Sequence, residues 1–259
     1  MVNAISIGII VLLCLPGIEA MSRASAQLLA AKPDNRLSAR SLYLLTFGQT
    51  LAIAAVCAAA GVYWGPRIGI RDSVIEGAAR STWQGEELLV QLGAGALAGV
   101  ICAIGWMVVY YGFVRKKLDE ETVWISEGLR ARLGLWTRVT SGGIVEEVIF
   151  RWGLLTALAW GLSWLSLSDE ASIRIALLVS GLLFGLAHLP GNLEEGCKPT
   201  PLFVWTAILG NFWVTLFCGY ALLEYGLIAA MVVHILFHIL WYPWDRRSYR
   251  TMSATRGGN

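Results

Sequence analysis

The chain has 259 residues, of which 56% are apolar and only 15% are charged, a balance too hydrophobic for a soluble globular domain, where about 25% are charged. The net charge is only +2, and Lys and Arg are confined to a few connecting segments, so the basic surface of a nucleic-acid-binding protein is missing. Nucleic acid is therefore excluded as a partner, and membrane lipids are expected instead.

Seven apolar stretches approach the ~20 residues that are needed to cross a bilayer core. They are residues 2–20, 41–64, 88–114, 139–165, 172–189, 201–223 and 227–243. The first could be a signal peptide, but it lacks a basic start and carries Pro16 and Glu19 where small residues would precede a cleavage site. The sequence therefore predicts an all-α, polytopic transmembrane helical bundle with about seven spans.

Basic residues are distributed unequally between the two sides of this bundle. Residues 21–40, 115–138, 190–200 and the C-terminal tail carry 15 of the 20 Lys and Arg residues, whereas the opposite connections carry four and Arg151 lies within a span. The positive-inside rule then predicts that the N-terminus is outside and the C-terminus is cytoplasmic.

The segment before the fourth span has apolar residues at helical spacing beside three arginines. These residues are Ile125, Leu129, Leu133 and Trp136, with Arg130, Arg132 and Arg138. We expect a helix in the cytoplasmic interface; the alternative is a solvated linker. The predicted organisation is N-terminal helices with this interfacial segment over residues 1–138, a transmembrane core over 139–243 and a cytoplasmic tail over 244–259.

The five cysteines suggest no covalent or metal framework. Four lie in apolar stretches, Cys197 lies in a loop, and no CxxC pair occurs. Neither disulfides nor a cysteine-ligated zinc ion are therefore predicted.

Ionisable residues are concentrated in three predicted spans, where each costs roughly 2.5–3.5 kcal/mol to insert and indicates a function. Glu147 and Arg151 are four residues apart and can pair on one helix face. Glu146 is turned ~100° away and stays free to face another group. The remaining residues are the only three histidines of the chain: His188, His234 and His238.

Spacing also suggests how the histidines are presented. His234 and His238 are four residues apart and share a helix face. His188 shares a stripe with Gly181 and Gly185, so it should face protein, and Phe184 can pack on its ring. With the predicted orientation, these groups and Glu146 reach similar depths in the cytoplasmic half of the membrane.

Three motifs in this order resemble the CAAX protease and bacteriocin-processing family of intramembrane endopeptidases. The family pattern is EExxxR, FxxxH and then HxxxN or HxxxD on separate helices. This chain has Glu146, Glu147 and Arg151, then Phe184 and His188, then His234 with His238 where the family has Asn or Asp. The resemblance covers about residues 139–241 and leaves the first three spans unaccounted for.

The resemblance implies that Glu146 and His188 activate a water for attack on a peptide carbonyl. It further implies that His234 and residue 238 stabilise the oxyanion, while Glu147 and Arg151, with Phe184, support the site. No Ser or Cys lies among the motifs with a base at hand, so a covalent nucleophile is not expected.

The histidine at position 238 leaves two possibilities for the chemistry. A His can donate a hydrogen bond to an oxyanion as Asn does, and this reading needs no cofactor. Alternatively, zinc could be bound by Glu146, His188, His234 and His238. We favour the reading without a metal.

Two other functions compete with an endopeptidase. An ion or proton transporter could use the same buried charges, although half-chain repeats typical of transporters are not evident. A non-catalytic immunity or scaffold protein could keep the fold, although retention of the motifs argues against it. For an endopeptidase we expect a protein or peptide substrate, lipid-modified or a sorting or precursor peptide, and a location in the bacterial cytoplasmic (inner) membrane.

Overall fold

The computed structural model describes residues 1–165 and 167–256, and every regular element within these ranges is helical. The all-α prediction is therefore confirmed. Ten α-helices are described: α1 Val2–Ala30, α2 Ala39–Trp64, α3 Ser73–Ala79, α4 Gly85–Val109, α5 Glu120–Thr137, α6 Thr156–Ser163, α7 Asp169–Ala187, α8 Leu189–Glu194, α9 Pro201–Glu224 and α10 Leu227–Arg256. Tyr110–Val114, Arg138–Val145 and Glu147–Leu155 are π-helical, and Gly65–Arg67 and Arg115–Lys117 are 3₁₀ turns.

Six helices in the described ranges are long and apolar enough to cross a membrane, as expected for an integral membrane protein. They are Val2–Ala30, Ala39–Arg67, Gly85–Lys117, Asp169–Glu194, Pro201–Glu224 and Leu227–Thr255, and they correspond to six of the seven predicted spans. The fourth predicted span is not among them. The count of seven and the orientation stay predictions.

The fourth predicted span forms the centre of the bundle. We call residues 138–163 the motif helix, which runs from the two π-helical stretches into α6. It packs against α1, α2, α5, α7, α9 and α10, and both Glu147 and Arg151 are 0% exposed. Because other helices surround it, the motif helix needs no continuous apolar face towards lipid and can carry charges.

Helix α5 replaces the solvated linker that was the alternative for this segment. It begins at Asp119, whose carboxylate caps it by accepting a hydrogen bond from the Thr122 amide at 3.1 Å. Gly134 then adopts a φ of +73°, a left-handed conformation that favours glycine and turns the chain into the motif helix. The linker alternative is therefore wrong, although the depth of α5 in a membrane stays a prediction.

The predicted tail is largely the continuation of a spanning helix. Helix α10 runs through Pro243 to Arg256, so it crosses the predicted boundary at residue 243, while residues 257–259 lie outside the described residues. The extension is fixed from both sides: Ser248 donates to the buried Glu127 carboxylate at 2.5 Å and accepts from Arg115 at 2.6 Å. The three-part division of the chain stays a prediction.

The N-terminal end of α10 is fixed by a buried carboxylate. Asp72 is 1% exposed and accepts hydrogen bonds from the backbone amides of Ile75 at 2.8 Å and Ile228 at 3.2 Å. It thereby caps α3 and the first turn of α10 together. The helix that carries His234 and His238 is thus held near both ends.

The first three predicted spans pack closely on the helices that carry the motifs. A Cβ atom at Gly17 of α1 would lie 2.2 Å from the Thr140 carbonyl oxygen of the motif helix. Gly95 and Gly99 of α4 approach α10 in the same way, with backbone atoms of Ala229 and Val233 within 3.0 Å of the Cβ positions. Small residues here set the separation between helix axes.

We expect Gly17→Ala to destabilise the protein because the new methyl group would overlap the backbone of the motif helix. Overpacking of this kind costs about 1–3 kcal/mol, which outweighs the gain of about 1 kcal/mol in helix propensity. Gly8→Ala on the same helix is the matched control, since nothing lies within 4 Å of its Cβ position. Thermal melting of purified protein should show a lower Tm for Gly17→Ala alone. Equal Tm values for both variants would contradict the close packing of α1.

Reporter fusions test the orientation. A reporter after residue 259 should be cytoplasmic, and one inserted beside Trp83, which is 86% exposed between α3 and α4, should be external, because most basic residues lie on the tail side. Reversed signals at both sites would show that the charge distribution does not set the topology of this chain.

Candidate active site

One cavity of about 470 Å³ brings together groups that are far apart in the sequence. Helices α1, α4, α5, α9 and α10, the motif helix and the α7–α8 connection enclose it. Four of the predicted site residues line it: Glu146, His188, His234 and His238. Much of the remaining wall is apolar, including Leu28, Leu29, Leu118, Leu129, Leu133 and Phe203. A largely apolar cavity with a few convergent polar groups is typical of a ligand-binding site.

Glu146 and His188 face each other at this cavity. The His188 Nε2 atom lies 3.9 Å from Glu146 Oε2, and their side chains are 35% and 23% exposed. His188 Nδ1 lies 2.8 Å from the Phe184 carbonyl oxygen, and because a carbonyl only accepts, Nδ1 carries the proton. Nε2 of the neutral ring is therefore an acceptor. The separation is too long for a direct hydrogen bond, so a water molecule could donate to both groups.

Local structure at the end of α7 places His188 at the cavity. The helix ends at Ala187, and the short helix α8 begins at Leu189 with Pro190 in its first turn. The Asn192 side chain donates to the carbonyl oxygen of His188 at 2.9 Å, while the ring packs edge-on against Phe184 with centroids 4.6 Å apart. His188 thus lies at a helix end and not within a continuous helix.

A buried charged cluster lies behind the cavity. Glu147 and Arg151 are separated by 3.4 Å, as the spacing suggested, and both are fully buried. His234 Nδ1 lies 2.6 Å from the same Glu147 oxygen, a short contact typical of a charge-assisted hydrogen bond. Arg151 also donates to Thr215 Oγ1 at 3.0 Å. With Nδ1 engaged by the carboxylate, Nε2 is the remaining polar atom of His234.

The aromatic ring of Phe184 lies between Arg151 and His234. The Arg151 guanidinium lies 4.1 Å above this ring, within the distance of a cation–π interaction. The ring centroid of His234 is 6.1 Å away. Phe184 therefore fills the space between the buried ion pair and the histidines.

His234 and His238 stack, but their Nδ1 atoms bind different groups. The ring centroids are 4.7 Å apart with an interplanar angle of 24°. Arg138 Nε donates to His238 Nδ1 at 3.4 Å, whereas His234 uses Nδ1 for Glu147. His238 Nε2 lies against Gly142, where a Cβ atom would be only 2.3 Å away.

Sequence reasoning missed Asp245 because it was assigned to the tail. Asp245 is 0% exposed and accepts hydrogen bonds at 3.0 Å from Arg130, Arg138 and Tyr111. The available signal was its position seven residues after His238, which places both on one face of a continuous helix. Gly142 was also missed, since a glycine required by close approach has no distinctive spacing.

The structure also corrects the expectation that no cysteine lies near a base. Cys218 on α9 lies with Glu147 and His234 in a group whose ligand atoms are within 4.8 Å of one another. Cys218 is 0% exposed and is not among the residues that line the cavity. A substrate in the cavity would therefore not reach its sulfur atom.

Among the described residues, the ligand atoms of this group are close enough together to hold a metal ion. The group differs from the predicted set of Glu146, His188, His234 and His238. The Arg151 guanidinium lies 3.4 Å from Glu147 Oε1, so a fixed positive charge already accompanies the carboxylate. A divalent cation at the same oxygen would be repelled by this charge. Glu147, Cys218 and His234 could therefore hold a metal ion most readily through the other carboxylate oxygen, Oε2, which is buried without a hydrogen-bond partner.

Comparison with known proteins agrees with this arrangement of motifs. Residues 129–240 match a family described as type II CAAX prenyl endopeptidase Rce1-like. No curated protein and no solved structure matches the chain. The matched segment contains Glu146, Glu147, Arg151, Phe184 and all three histidines. Residues 129–240 therefore match an Rce1-like domain, in agreement with the family resemblance of the motifs.

Proposed function

We propose that this protein is an intramembrane endopeptidase that hydrolyses a peptide bond with a water activated by Glu146 and His188. The observation that carries the proposal is the pair of facing acceptors at the cavity, Glu146 Oε2 and His188 Nε2, 3.9 Å apart. Neither atom is used in the buried ion-pair cluster. A water between them would be oriented and polarised by both.

The reaction needs two proton transfers, one from the water to Glu146 and one from Glu146 to the leaving amine. Glu146 takes a proton from the water as its oxygen attacks the carbonyl carbon, giving a tetrahedral oxyanion. The C–N bond then breaks, and the same proton reaches the leaving amine, with His188 Nε2 near enough to relay it. No covalent enzyme intermediate is formed.

The stacked histidines are placed to stabilise the oxyanion. In this role each donates from Nε2. His234 would then need a proton on Nε2 in addition to the one on Nδ1, which lies 2.6 Å from the Glu147 carboxylate. His238 is a neutral donor, since its Nδ1 accepts from Arg138. The oxyanion would thus accept one hydrogen bond from each ring.

The substrate follows from the family and from the cavity. The match to an endopeptidase domain supports a peptide or protein substrate, and the leucine-rich wall of the cavity favours an apolar segment beside the scissile bond. With the predicted topology, the segment would be a tail at the inner leaflet, either lipid-modified or part of a precursor or sorting signal. Membrane proteomics of wild type against Glu146→Ala should reveal this substrate as an uncut protein that accumulates.

Replacing Glu146 by Gln should abolish turnover without harming the fold. Glu146 has no partner in the buried cluster, so expression and Tm should stay near wild type, while the cleavage rate of the accumulated substrate should fall by about 10² or more. Glu170→Gln is the control, because Glu170 pairs with Arg174 on an exposed surface. Cleavage by Glu146→Gln at more than about a tenth of the wild-type rate would remove Glu146 from this role.

Replacing Cys218 by Ala tests both a thiol nucleophile and a metal at the buried group. We expect more than about half of the activity to remain, since loss of a general base or an essential ligand would cost orders of magnitude. The measurements are the cleavage rate, its response to prolonged chelation and the metal content of the purified protein. Near-stoichiometric zinc that disappears together with activity in Cys218→Ala would contradict the mechanism without a metal.

A further inference from the structure

We propose that Arg138, held by Asp245, fixes His238 as the neutral tautomer whose proton is on Nε2. Arg138 and Asp245 would then be positioning residues that allow a histidine to act where the family pattern has Asn or Asp. The catalytic part of this inference rests on the proposed function, while the tautomer itself does not.

The proton assignment follows from the donors and acceptors. A guanidinium can only donate hydrogen bonds, and Arg138 Nε is directed at His238 Nδ1 over 3.4 Å. Nδ1 must therefore be unprotonated, and a neutral ring then has its proton on Nε2. Protonation of both nitrogens would place an imidazolium against a guanidinium, which is electrostatically unfavourable.

Asp245 explains why Arg138 keeps this orientation. The Arg138 side chain is 4% exposed, and its Nη1 atom donates to Asp245 Oδ2 at 3.0 Å. Arg130 donates two hydrogen bonds of 3.0 Å to the same carboxylate, and the Tyr111 hydroxyl donates a further one. A carboxylate that accepts four hydrogen bonds is fixed in position, so Arg138 is held between Asp245 and His238. We call these three residues the clamp.

The two residues that Arg138 contacts, His238 and Asp245, lie on the same helix. His238 and Asp245 lie two turns apart on α10, and Arg138 reaches them from the first residue of the motif helix. The Trp241 ring lies between these turns, with the guanidinium carbons of Arg130 and Arg138 at 5.0 and 6.0 Å from its centroid. The arginines are therefore held by aromatic contacts as well as by charge.

At the other two histidines, Nδ1 faces a hydrogen-bond acceptor instead of a donor. His188 carries its Nδ1 proton towards the Phe184 carbonyl, and His234 directs Nδ1 at the Glu147 carboxylate. His238 alone among the three histidines has an Nδ1 that accepts from a cation. Its Nε2 atom lies against Gly142, which also lines the cavity.

The need for such a clamp follows from the side chain at position 238. The amide of Asn always has an N–H donor, so rotation alone presents it. A neutral histidine has one donor and one acceptor, and the wrong tautomer would direct a lone pair at the oxyanion. Arg138 should therefore matter for catalysis only while position 238 is a histidine.

Nitrogen NMR of the full-length protein in lipid bilayers tests the tautomer directly. With ¹⁵N-labelled histidine, three residues give six ring-nitrogen signals, and His238→Asn identifies one pair. We expect protonated Nε2 and bare Nδ1 for His238, and the reverse for His188. In Arg138→Met the His238 signals should shift towards the other tautomer, while those of His188 stay unchanged. Arg132→Met is the control, because Arg132 pairs with Glu195 at the surface.

A double-mutant cycle tests the catalytic consequence. Arg138→Met should lower kcat at least about tenfold in the wild type, since losing one oxyanion donor costs about 10²–10³. In the His238→Asn background the same change should cost less than about threefold, with KM unaltered in both. Equal losses in the two backgrounds would overturn the positioning role.

The two experiments separate this inference from the proposed function. A His238 Nδ1 that is protonated in the wild type overturns the clamp even if Glu146→Gln is inactive, and it requires no variant that might fail to fold. Conversely, a retained tautomer with an active Glu146→Gln supports the clamp and contradicts the proposed water activation.

Discussion

A charge buried in an apolar bundle must be paired, and the arrangement of this protein depends on that constraint. Glu147 and Arg151 are fully buried, and removing one partner of such a pair typically costs about 3–5 kcal/mol. The pair can be stable only if other helices surround it and supply further polar partners. Thr215 from α9 and His234 from α10 do so. The central position of the motif helix is thus a consequence of its charges as well as of its packing.

The same constraint divides the polar groups into two kinds. Those in fully buried ion pairs, such as Glu147, Arg151 and Asp245, connect neighbouring helices and do not line the cavity. Glu146 and His188 are paired only loosely, at 3.9 Å, and stay partly exposed. The proposed mechanism needs this freedom, because a carboxylate held in an ion pair would have to break its bonds before it could accept a proton from water. The buried cluster is therefore fixed by its ion pairs, whereas Glu146 and His188 line the cavity.

The sequence was sufficient for features that depend on local spacing. The all-helical class and six of the spans follow from apolar segments of the right length, and the Glu147–Arg151 contact follows from a separation of four residues. Features that depend on tertiary packing could not be predicted. Cys218 approaches Glu147 and His234 only because α9 crosses both helices, and no motif marks it. Arg130 and Arg138 were expected in a membrane interface, because nothing in their own segment shows that Asp245 lies opposite.

The site of this chain extends beyond the segment that matches the family. The match ends at residue 240, whereas Asp245 lies beyond it and holds Arg138 inside it. At the other end, α1 contributes Met21, Ser25, Leu28 and Leu29 to the cavity wall, and Gly17 sets its distance from the motif helix. The candidate groups lie on three helices, but their positions depend on neighbours outside the matched segment. His238 is one example, because the Arg138 that donates to it is itself held by a carboxylate two turns later on the extended α10.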